Sequence, residues 1–243
     1  AAAPRKLQRM TNPAARSDRA TRTRNWVIVF AIALAVIQYV DRVCISQAMP
    51  DIARDLKLAD AEKGVVFFAF AFAYALFEIP TGWLGDKIGA RKVLIRVVLW
   101  WSFFTAATGW AWNYSSMVVT RFLFGAGEAG CFPNLTKAFS AWLPKNERTR
   151  AQALMWMGAR WGGASAPLLV VLVMAFMSWR LAFLVFALLG VVWAAVFYGW
   201  FRDNPRDHNG VNAAELELLK GNTQNSAGHG DVPWRELVTR PTM

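Results

Sequence analysis

Gly82-Trp83-Leu84-Gly85-Asp86-Lys87-Ile88-Gly89-Ala90-Arg91-Lys92 is a short charged link between two long apolar stretches. Gly89 permits a tight turn, because glycine adopts backbone angles that other residues avoid. Asp86 closes one predicted helix beside the cations Arg91 and Lys92 at the start of the next. A link of this kind stays compact while the helices around it move, so it predicts a helical bundle with moving parts.

Apolar runs long enough to cross a bilayer lie on both sides of this link. A spanning helix needs about 20 mostly apolar residues, and none of the runs shows the alternation of a strand. Hydrophobic residues make up 56% of the 243 residues and charged residues only 18%, unlike a soluble domain. We predict an all-α membrane protein with six transmembrane helices: Trp26–Ala48, Gly64–Leu84, Lys92–Trp112, Ser115–Trp142, Ala151–Met177 and Trp179–Phe201.

The formal net charge of +11 is concentrated at one set of helix ends. Basic residues crowd the chain before the first span and fill the links between spans two and three and between spans four and five. The positive-inside rule places those links and both ends of this chain in the cytoplasm. A basic arm that binds nucleic acid or anionic lipid is the less favoured explanation, and we expect no nucleic-acid partner.

The polarity of the chain divides it into three parts. We predict a basic cytoplasmic tail over 1–24, a transmembrane bundle over 25–201 and a central cytoplasmic loop over 202–243, with a short helix around Ala213–Lys220. Six helices with short links fit two inverted three-helix repeats. The chain begins with Ala and ends without a seventh span, so we expect a fragment.

Gly125-Ala126-Gly127-Glu128-Ala129-Gly130 matches the spacing of a dinucleotide-binding loop. The motif binds phosphate only between a strand and a helix, whereas this run lies inside a long apolar stretch. It therefore predicts close helix packing, as do Gly158 and Gly162 in the fifth span. His208 and His229 lie in the polar loop, away from the carboxylates of the spans, and no metal-ligand spacing is present. We expect no enzyme activity, no metal and no cofactor.

The link at 82–92 resembles the helix 2–3 signature of the major facilitator superfamily, G-x-L-x-D-x-x-G-x-[RK]-[RK]. Within that superfamily the chain is similar to the anion:cation symporter family, which includes hexuronate, galactonate, glucarate, phthalate and tartrate transporters. The likeness lies in Tyr39 to Ser46, Tyr74 to Gly82, Arg121 to Ala129, Gly158 to Gly163 and Trp179 to Phe183.

This resemblance implies the N-terminal half of a twelve-helix fold in the bacterial inner (plasma) membrane. The expected partners are the lipid bilayer, a small organic anion and the missing C-terminal six-helix half. The coupling ion is expected to be the proton, with sodium as the alternative. The resemblance also implies that Gly82, Asp86, Gly89, Arg91 and Lys92 form a gating loop.

Ionisable residues inside the spans are the candidate functional residues. A charge at the bilayer centre costs about 2.5–3.5 kcal/mol on insertion scales, so each must face a partner or a wet cavity. Counting about 1.5 Å per residue along each span puts Asp41 level with Arg121, and Glu128 level with Arg160 and Tyr74. These heights would allow Asp41 to pair with Arg121 and Glu128 to pair with Arg160.

These positions suggest separate roles in anion binding and in proton coupling. Arg42, Arg121 and Arg160 are candidate anion contacts, Asp41 and Glu128 are candidate proton-coupling groups, and Tyr74 is a candidate hydrogen-bonding wall. Two alternatives remain open: the ion pairs could only hold helices together, and Arg42 could extend to the outer interface. Lys137 is expected to extend to the cytoplasmic interface. Lipid-facing or interfacial positions are expected for Trp100, Trp101, Trp110 and Trp112.

The sequence thus predicts a secondary active transporter that imports a small organic anion, a sugar acid or another carboxylate, by proton symport and alternating access. An anion exchanger or uniporter, such as a sugar-phosphate antiporter, is the alternative in the same fold. A transporter-like membrane sensor is the alternative from a different class.

Overall fold

The computed structural model describes residues 19–220. The predicted tail over 1–18, the end of the predicted loop over 221–243 and His229 therefore lie outside the described residues. Every regular element between residues 19 and 220 is helical, as predicted. The helices are α1 (Arg24–Leu56), α2 (Asp60–Ile88), α3 (Ala90–Gly109), α4 (Tyr114–Glu128), α5 (Cys131–Trp142), α6 (Lys145–Phe176), α7 (Trp179–Trp200) and α8 (Ala213–Leu218).

The fourth predicted span is divided into α4 and α5. Ala129 leaves the helical conformation, and Gly130 has a φ of 84° in the left-handed region. Pro133 supplies a physical reason, since a proline lacks the N–H that would bond to the carbonyl of Ala129 four residues earlier. Pro133 instead lies in the first turn of α5, where that N–H is not needed. The prediction of one continuous helix over Ser115–Trp142 was wrong at this point.

The helix pairing has an internal symmetry. α1 packs mainly on α6, α2 packs mainly on α4, and α3 packs on α7. In terms of spans, the first lies on the fifth, the second on the fourth and the third on the sixth. If span one is exchanged with four, two with five and three with six, the same three pairs result. Two equivalent three-helix units require this symmetry. The six-helix fold built from two inverted repeats is therefore confirmed.

Close backbone contact holds two of these pairs together. A Cβ atom on Gly162 of α6 would lie 2.7 Å from the carbonyl oxygen of Val36 in α1, so only glycine fits there. Gly125 of α4 meets the backbone of Phe70 in α2 in the same manner. The prediction that these glycines serve helix packing is confirmed, because lipid provides no hydrophobic drive and association depends on close approach.

The bundle presents an apolar surface to its surroundings. Four helices, α1, α2, α6 and α7, are long and apolar enough to cross a bilayer without interruption. α3 carries three basic residues in its first two turns, and the fourth span is divided between α4 and α5. Large side chains such as Phe68 (64% exposed) and Phe176 (87% exposed) lie on the outer surface. A surface this apolar is stable in lipid and not in water.

The segment after α7 folds back onto the end of the bundle that carries the basic links. Arg24 at the start of α1 donates to Glu147 of α6 at 2.9 Å and to Glu215 of α8 at 3.2 Å. Glu215 has no exposed surface, and the Thr21 hydroxyl also donates to it. Asn212 caps α8 and accepts a hydrogen bond from the backbone N–H of Thr21. This cluster, the Arg24 clamp, ties α8 to α1 and α6.

Candidate functional site

Arg42 and Glu128 form an ion pair inside the bundle. Nε and one terminal nitrogen of Arg42 both donate to Oε1 of Glu128, at 3.2 and 3.0 Å. Glu128 has no exposed surface, and its second oxygen, Oε2, has no hydrogen-bond partner within the described chain. The Arg42 side chain remains 25% exposed, so the pair lies at the edge of an open face. Arg42 therefore turns inward, and the expectation that it could extend to the outer interface was wrong.

Three aromatic rings enclose the Arg42 guanidinium. Its central carbon lies 4.8 Å from the ring centre of Tyr74, 5.1 Å from that of Phe70 and 5.3 Å from that of Tyr39. Cation–π attraction favours this position, and the rings limit the directions in which the planar group can bind an anion. Tyr74 thus lies beside the Arg42 cation at the edge of the open face.

Arg121 is buried behind this pair, in α4. It is 2% exposed and donates to the Thr108 hydroxyl at 3.3 Å, and its guanidinium lies 4.1 Å from the Phe124 ring centre. Its Nε has no hydrogen-bond partner in the described part of the chain. A solute could contact Arg121 only after the side chains around it moved, because Arg121 is buried in this conformation.

Asp41 is 1% exposed, and among residues 19–220 the Trp101 indole N–H lies near its carboxylate without reaching ordinary hydrogen-bond geometry. Trp101, Glu128 and Arg121 lie close enough to act on its charge. The Asp41–Arg121 ion pair that their similar heights would allow does not form, although the two residues share one buried region.

Arg160 lies apart from this cluster. Its side chain is exposed on α6, and it makes no hydrogen bond or ion pair with another residue in the 19–220 segment. The Glu128–Arg160 pair that equal depth would allow does not form, because Arg42 occupies that partner position on Glu128. Equal depth along two helices does not ensure that two side chains face each other.

Gln38 and Trp101 belong to this site, although the sequence did not single out Gln38 and placed Trp101 at the lipid surface. Gln38 is fully buried beside Glu128, one helical turn before Arg42. Trp101 is 0% exposed, so its predicted lipid-facing position was wrong, whereas Trp110 (63%) and Trp112 (75%) are exposed as predicted. Trp100 is 43% exposed, and its indole N–H bonds to the Leu123 carbonyl. The available signal was spacing: Gln38 lies four residues from Arg42, on the same helix face.

The predicted gating link is a compact hydrogen-bonded turn. Gly89 has a φ of 91°, which favours glycine, and Gly82 packs against Pro133 of α5. Asp86 pairs with Lys137 of α5 at 2.9 Å, so the Lys137 side chain extends toward the predicted cytoplasmic end of the bundle.

The start of α3 is fixed to the end of α7. The backbone N–H of Arg91 donates to Asp203 at 2.8 Å, and its guanidinium donates to the Tyr198 carbonyl at 2.5 Å. Lys92 is exposed. The link thus joins the third span to the sixth and, through Asp86, the second to the fourth. Within residues 19–220, no cluster of three or more His, Cys, Asp or Glu side chains is suited to hold a metal ion.

Comparison with known proteins adds independent information. Residues 31–243 match the family model described as Major Facilitator Superfamily. The probable sulfoacetate transporter SauU of Cupriavidus necator is 38% identical over 221 residues, which cover 90% of this chain and 51% of that protein. The probable galactarate/D-glucarate transporter GarP of Escherichia coli K12 is 34% identical over 82% of this chain and 46% of that protein. The chain spans about half the length of the curated relatives it matches.

Solved structures share the fold. The crystal structure of a bacterial homolog of the human lysosomal transporter Spinster, inward-facing and unoccupied, superposes with a TM-score of 0.67 at 22% identity. The match covers 77% of this chain and 45% of that one. The human organic anion transporter MFSD10 gives a TM-score of 0.60 at 15% identity, over 72% of this chain and 47% of that one. At these identities the likeness shows the fold alone.

Proposed function

Because this chain belongs to the Major Facilitator Superfamily, we propose that it is part of a secondary active transporter that imports a small organic anion together with a proton. The observation that carries the proposal is the Arg42–Glu128 pair, in which a cation at the edge of an open face is neutralised by a fully buried carboxylate. Buried charges are costly in a membrane protein, so an unneutralised Arg42 needs another anion.

A coupling cycle follows from this geometry. While Glu128 is ionised it occupies the Arg42 fork, and a substrate carboxylate must compete for the same donors. Protonation of Glu128 removes its charge and frees Arg42, which then binds the carboxylate through paired N–H donors. Loss of that proton on the other side of the membrane returns Glu128 to Arg42 and expels the substrate. One proton is thus carried with each carboxylate that Arg42 binds.

Alternating access would expose this site to each side in turn. Arg42 faces the open side of the half-bundle between Tyr39 and Tyr74, and we propose that the second six-helix half closes over it. The link at 82–92 would serve as the gate at the basic end, which we place in the cytoplasm on the charge distribution of the links. Arg121 and Asp41 would support the site from behind, and Arg160 would supply a further cationic contact.

Sugar acids and other small carboxylates are the proposed substrates. The relatives are a probable sulfoacetate transporter, a hexuronate transporter and a probable galactarate/D-glucarate transporter, all named for organic acids. A planar arginine fork binds a carboxylate or a sulfonate in a similar geometry, so Arg42 suits each of these groups. The hydroxyl-rich chain of a sugar acid would extend past Tyr74 toward the second half.

The experiment is uptake by the full-length protein in proteoliposomes. The panel contains sulfoacetate, galactarate, glucarate, galactonate and a hexuronate, each at an imposed and at a collapsed pH gradient. We expect accumulation of at least one of these anions, driven by an inward proton gradient and lost when the gradient collapses.

Other outcomes identify the competing functions. Uptake driven by a sodium gradient alone would identify sodium, and not the proton, as the coupling ion. Exchange without net accumulation would indicate an exchanger or uniporter, and binding without movement would indicate a membrane sensor. Failure of all five anions to bind would contradict the proposed substrate class.

A further inference from the structure

Helix α3 carries a polar face that the proposed coupling cycle does not use. Trp101, Thr105 and Thr108 are spaced by four and three residues and therefore lie on one side of the helix. Each is 0% exposed. In a helix whose other buried residues are mainly valine, leucine and alanine, three polar side chains on one buried face require partners.

These three residues face the two charged groups that the Arg42–Glu128 pair leaves out. Trp101 lies beside the Asp41 carboxylate, and the Thr108 hydroxyl accepts a hydrogen bond from Arg121. Thr105 lies between them, about 6 Å along the helix from Trp101 and about 4.5 Å from Thr108. The face therefore spans the gap between Asp41 and Arg121, which do not contact each other.

Several buried polar atoms around this gap form no hydrogen bond of ordinary geometry with residues 19–220, although the Trp101 indole N–H lies near the Asp41 carboxylate. They are both carboxylate oxygens of Asp41, Nε1 of Trp101, Oγ1 of Thr105 and Nε of Arg121. Each unsatisfied buried polar group carries a desolvation cost, and so many together in a native fold indicate a polar occupant. The set offers N–H donors, carboxylate acceptors and a hydroxyl that does both.

A water molecule matches this set of partners. Buried waters typically make about three hydrogen bonds to otherwise unsatisfied groups. A water here accepts from Trp101 or Arg121 and donates to Asp41 or Thr105. A metal cation suits the site poorly, because the indole and guanidinium groups offer only donors and Arg121 is itself a cation.

We propose that Trp101 and Thr105 hold an ordered water between α1, α3 and α4 that hydrogen-bonds to Asp41 and joins it to Arg121. Trp101 and Thr105 are then positioning residues: they act on transport through the water and Asp41 and do not touch the substrate. Their effect on transport rests on the proposed function, in which Asp41 supports the Arg42–Glu128 site from behind, whereas the water site itself does not.

Infrared difference spectroscopy of the purified full-length protein in H₂¹⁶O and H₂¹⁸O tests the site directly. We expect an isotope-sensitive O–H stretching band of a bound water that disappears in Asp41→Asn. The band is lost in Thr105→Val, which keeps the shape but removes the hydroxyl. It is retained in Thr105→Ser, and it moves in Trp101→Phe.

Two matched controls remove similar groups elsewhere in the half. Thr120→Val removes a hydroxyl that bonds only to the backbone of its own helix. Trp193→Phe removes a buried indole N–H that bonds to the Phe30 carbonyl. Both controls should keep the band. Absence of the band in the wild type, or an unchanged band in both Thr105→Val and Trp101→Phe, would overturn the proposal, as would its loss on adding sodium.

Transport supplies the second readout. Thr105→Val should lower proton-driven accumulation about fivefold relative to substrate exchange, the usual effect of one buried hydrogen bond, and Thr105→Ser should restore it. A wild type that shows the band but accumulates no anion would contradict the proposed function and leave the water site standing. Proton-driven accumulation without the band would contradict the water site alone.

Discussion

Arg42 carries the most specific geometry of any single residue in this half. Its planar group donates twice to one oxygen of Glu128 and lies among three rings, and an ammonium group cannot reproduce either contact. Arg42→Lys should therefore weaken apparent substrate affinity by about tenfold or more, measured as the concentration dependence of exchange. Arg54→Lys, on the same helix with a side chain that is 79% exposed, is the control and should leave affinity unchanged. Equal affinity in the two variants would argue against Arg42 as the carboxylate contact.

The sequence indicated which charged residues matter at this scale, but not how they pair. Asp41, Arg42, Arg121 and Glu128 stand out because charges inside apolar spans need partners, and the structure brings all four into one region, with Arg42 at its partly exposed edge. Counting residues gives the height of a side chain along its helix. It does not give the direction in which the side chain faces relative to neighbouring helices. Adjacent residues differ by about 100° around an α-helix, so Asp41 reaches Trp101 in α3 while Arg42 reaches Glu128 and the rings of α2.

The geometry of the break between α4 and α5 depends on one residue, Gly130. Gly130 has a φ of 84°, and an added Cβ would overlap the Thr81 side chain of α2. Gly130→Ala should therefore destabilise the protein by at least about 1–2 kcal/mol, the cost of a left-handed conformation for an L-residue. Thermal unfolding of the full-length protein in detergent measures this change.

Gly199→Ala provides the matched control at the element scale. Gly199 is helical in α7 and a Cβ there meets nothing within 4 Å, so alanine should be neutral or slightly stabilising. If both variants unfold at the same temperature, the division at Gly130 does not exist in the protein.

The existence of the spans was predictable, and the division of the fourth was predictable only in part. Length and apolar composition are enough for α1, α2, α6 and α7. Gly130 followed three residues later by Pro133 was a visible signal for the break, since proline favours the first turn of a helix. The glycine pattern around Glu128 predicts helix packing only. In the structure Gly125 serves packing, whereas Gly130 forms the break between α4 and α5.

The docked segment after α7 is a feature of the whole molecule. Glu215 has no exposed surface and accepts from both the backbone and the side chain of Arg24, so it fixes α8 to the start of α1. Glu215→Ala removes these acceptors and should lower the free energy of unfolding by about 1–3 kcal/mol. The same measurement on Glu217→Ala, whose partner Lys220 follows α8 and is exposed, should show little change. Equal losses for both variants would contradict the Arg24 clamp.

The sequence predicted the architecture better than the attachment of its polar parts. Two inverted repeats follow from span number and short links, and the symmetric pairing of α1 with α6 and α2 with α4 agrees. The docking of α8 was not predicted, because polar composition around Ala213–Leu218 is typical of a linker. The docking of α8 depends on one buried carboxylate, that of Glu215. The composition of a segment does not indicate that one of its charged side chains is buried.

The central claim is that a substrate carboxylate replaces Glu128 on Arg42 once Glu128 is protonated, so that one proton and one substrate carboxylate cross the membrane together. Glu128→Gln tests it most directly, because an amide mimics the protonated acid, leaves Arg42 free for substrate and cannot release a proton. In proteoliposomes of the full-length protein, this variant should exchange internal for external anion at near the wild-type rate and fail to accumulate anion under an imposed proton gradient. Gradient-driven accumulation equal to that of the wild type would contradict the account.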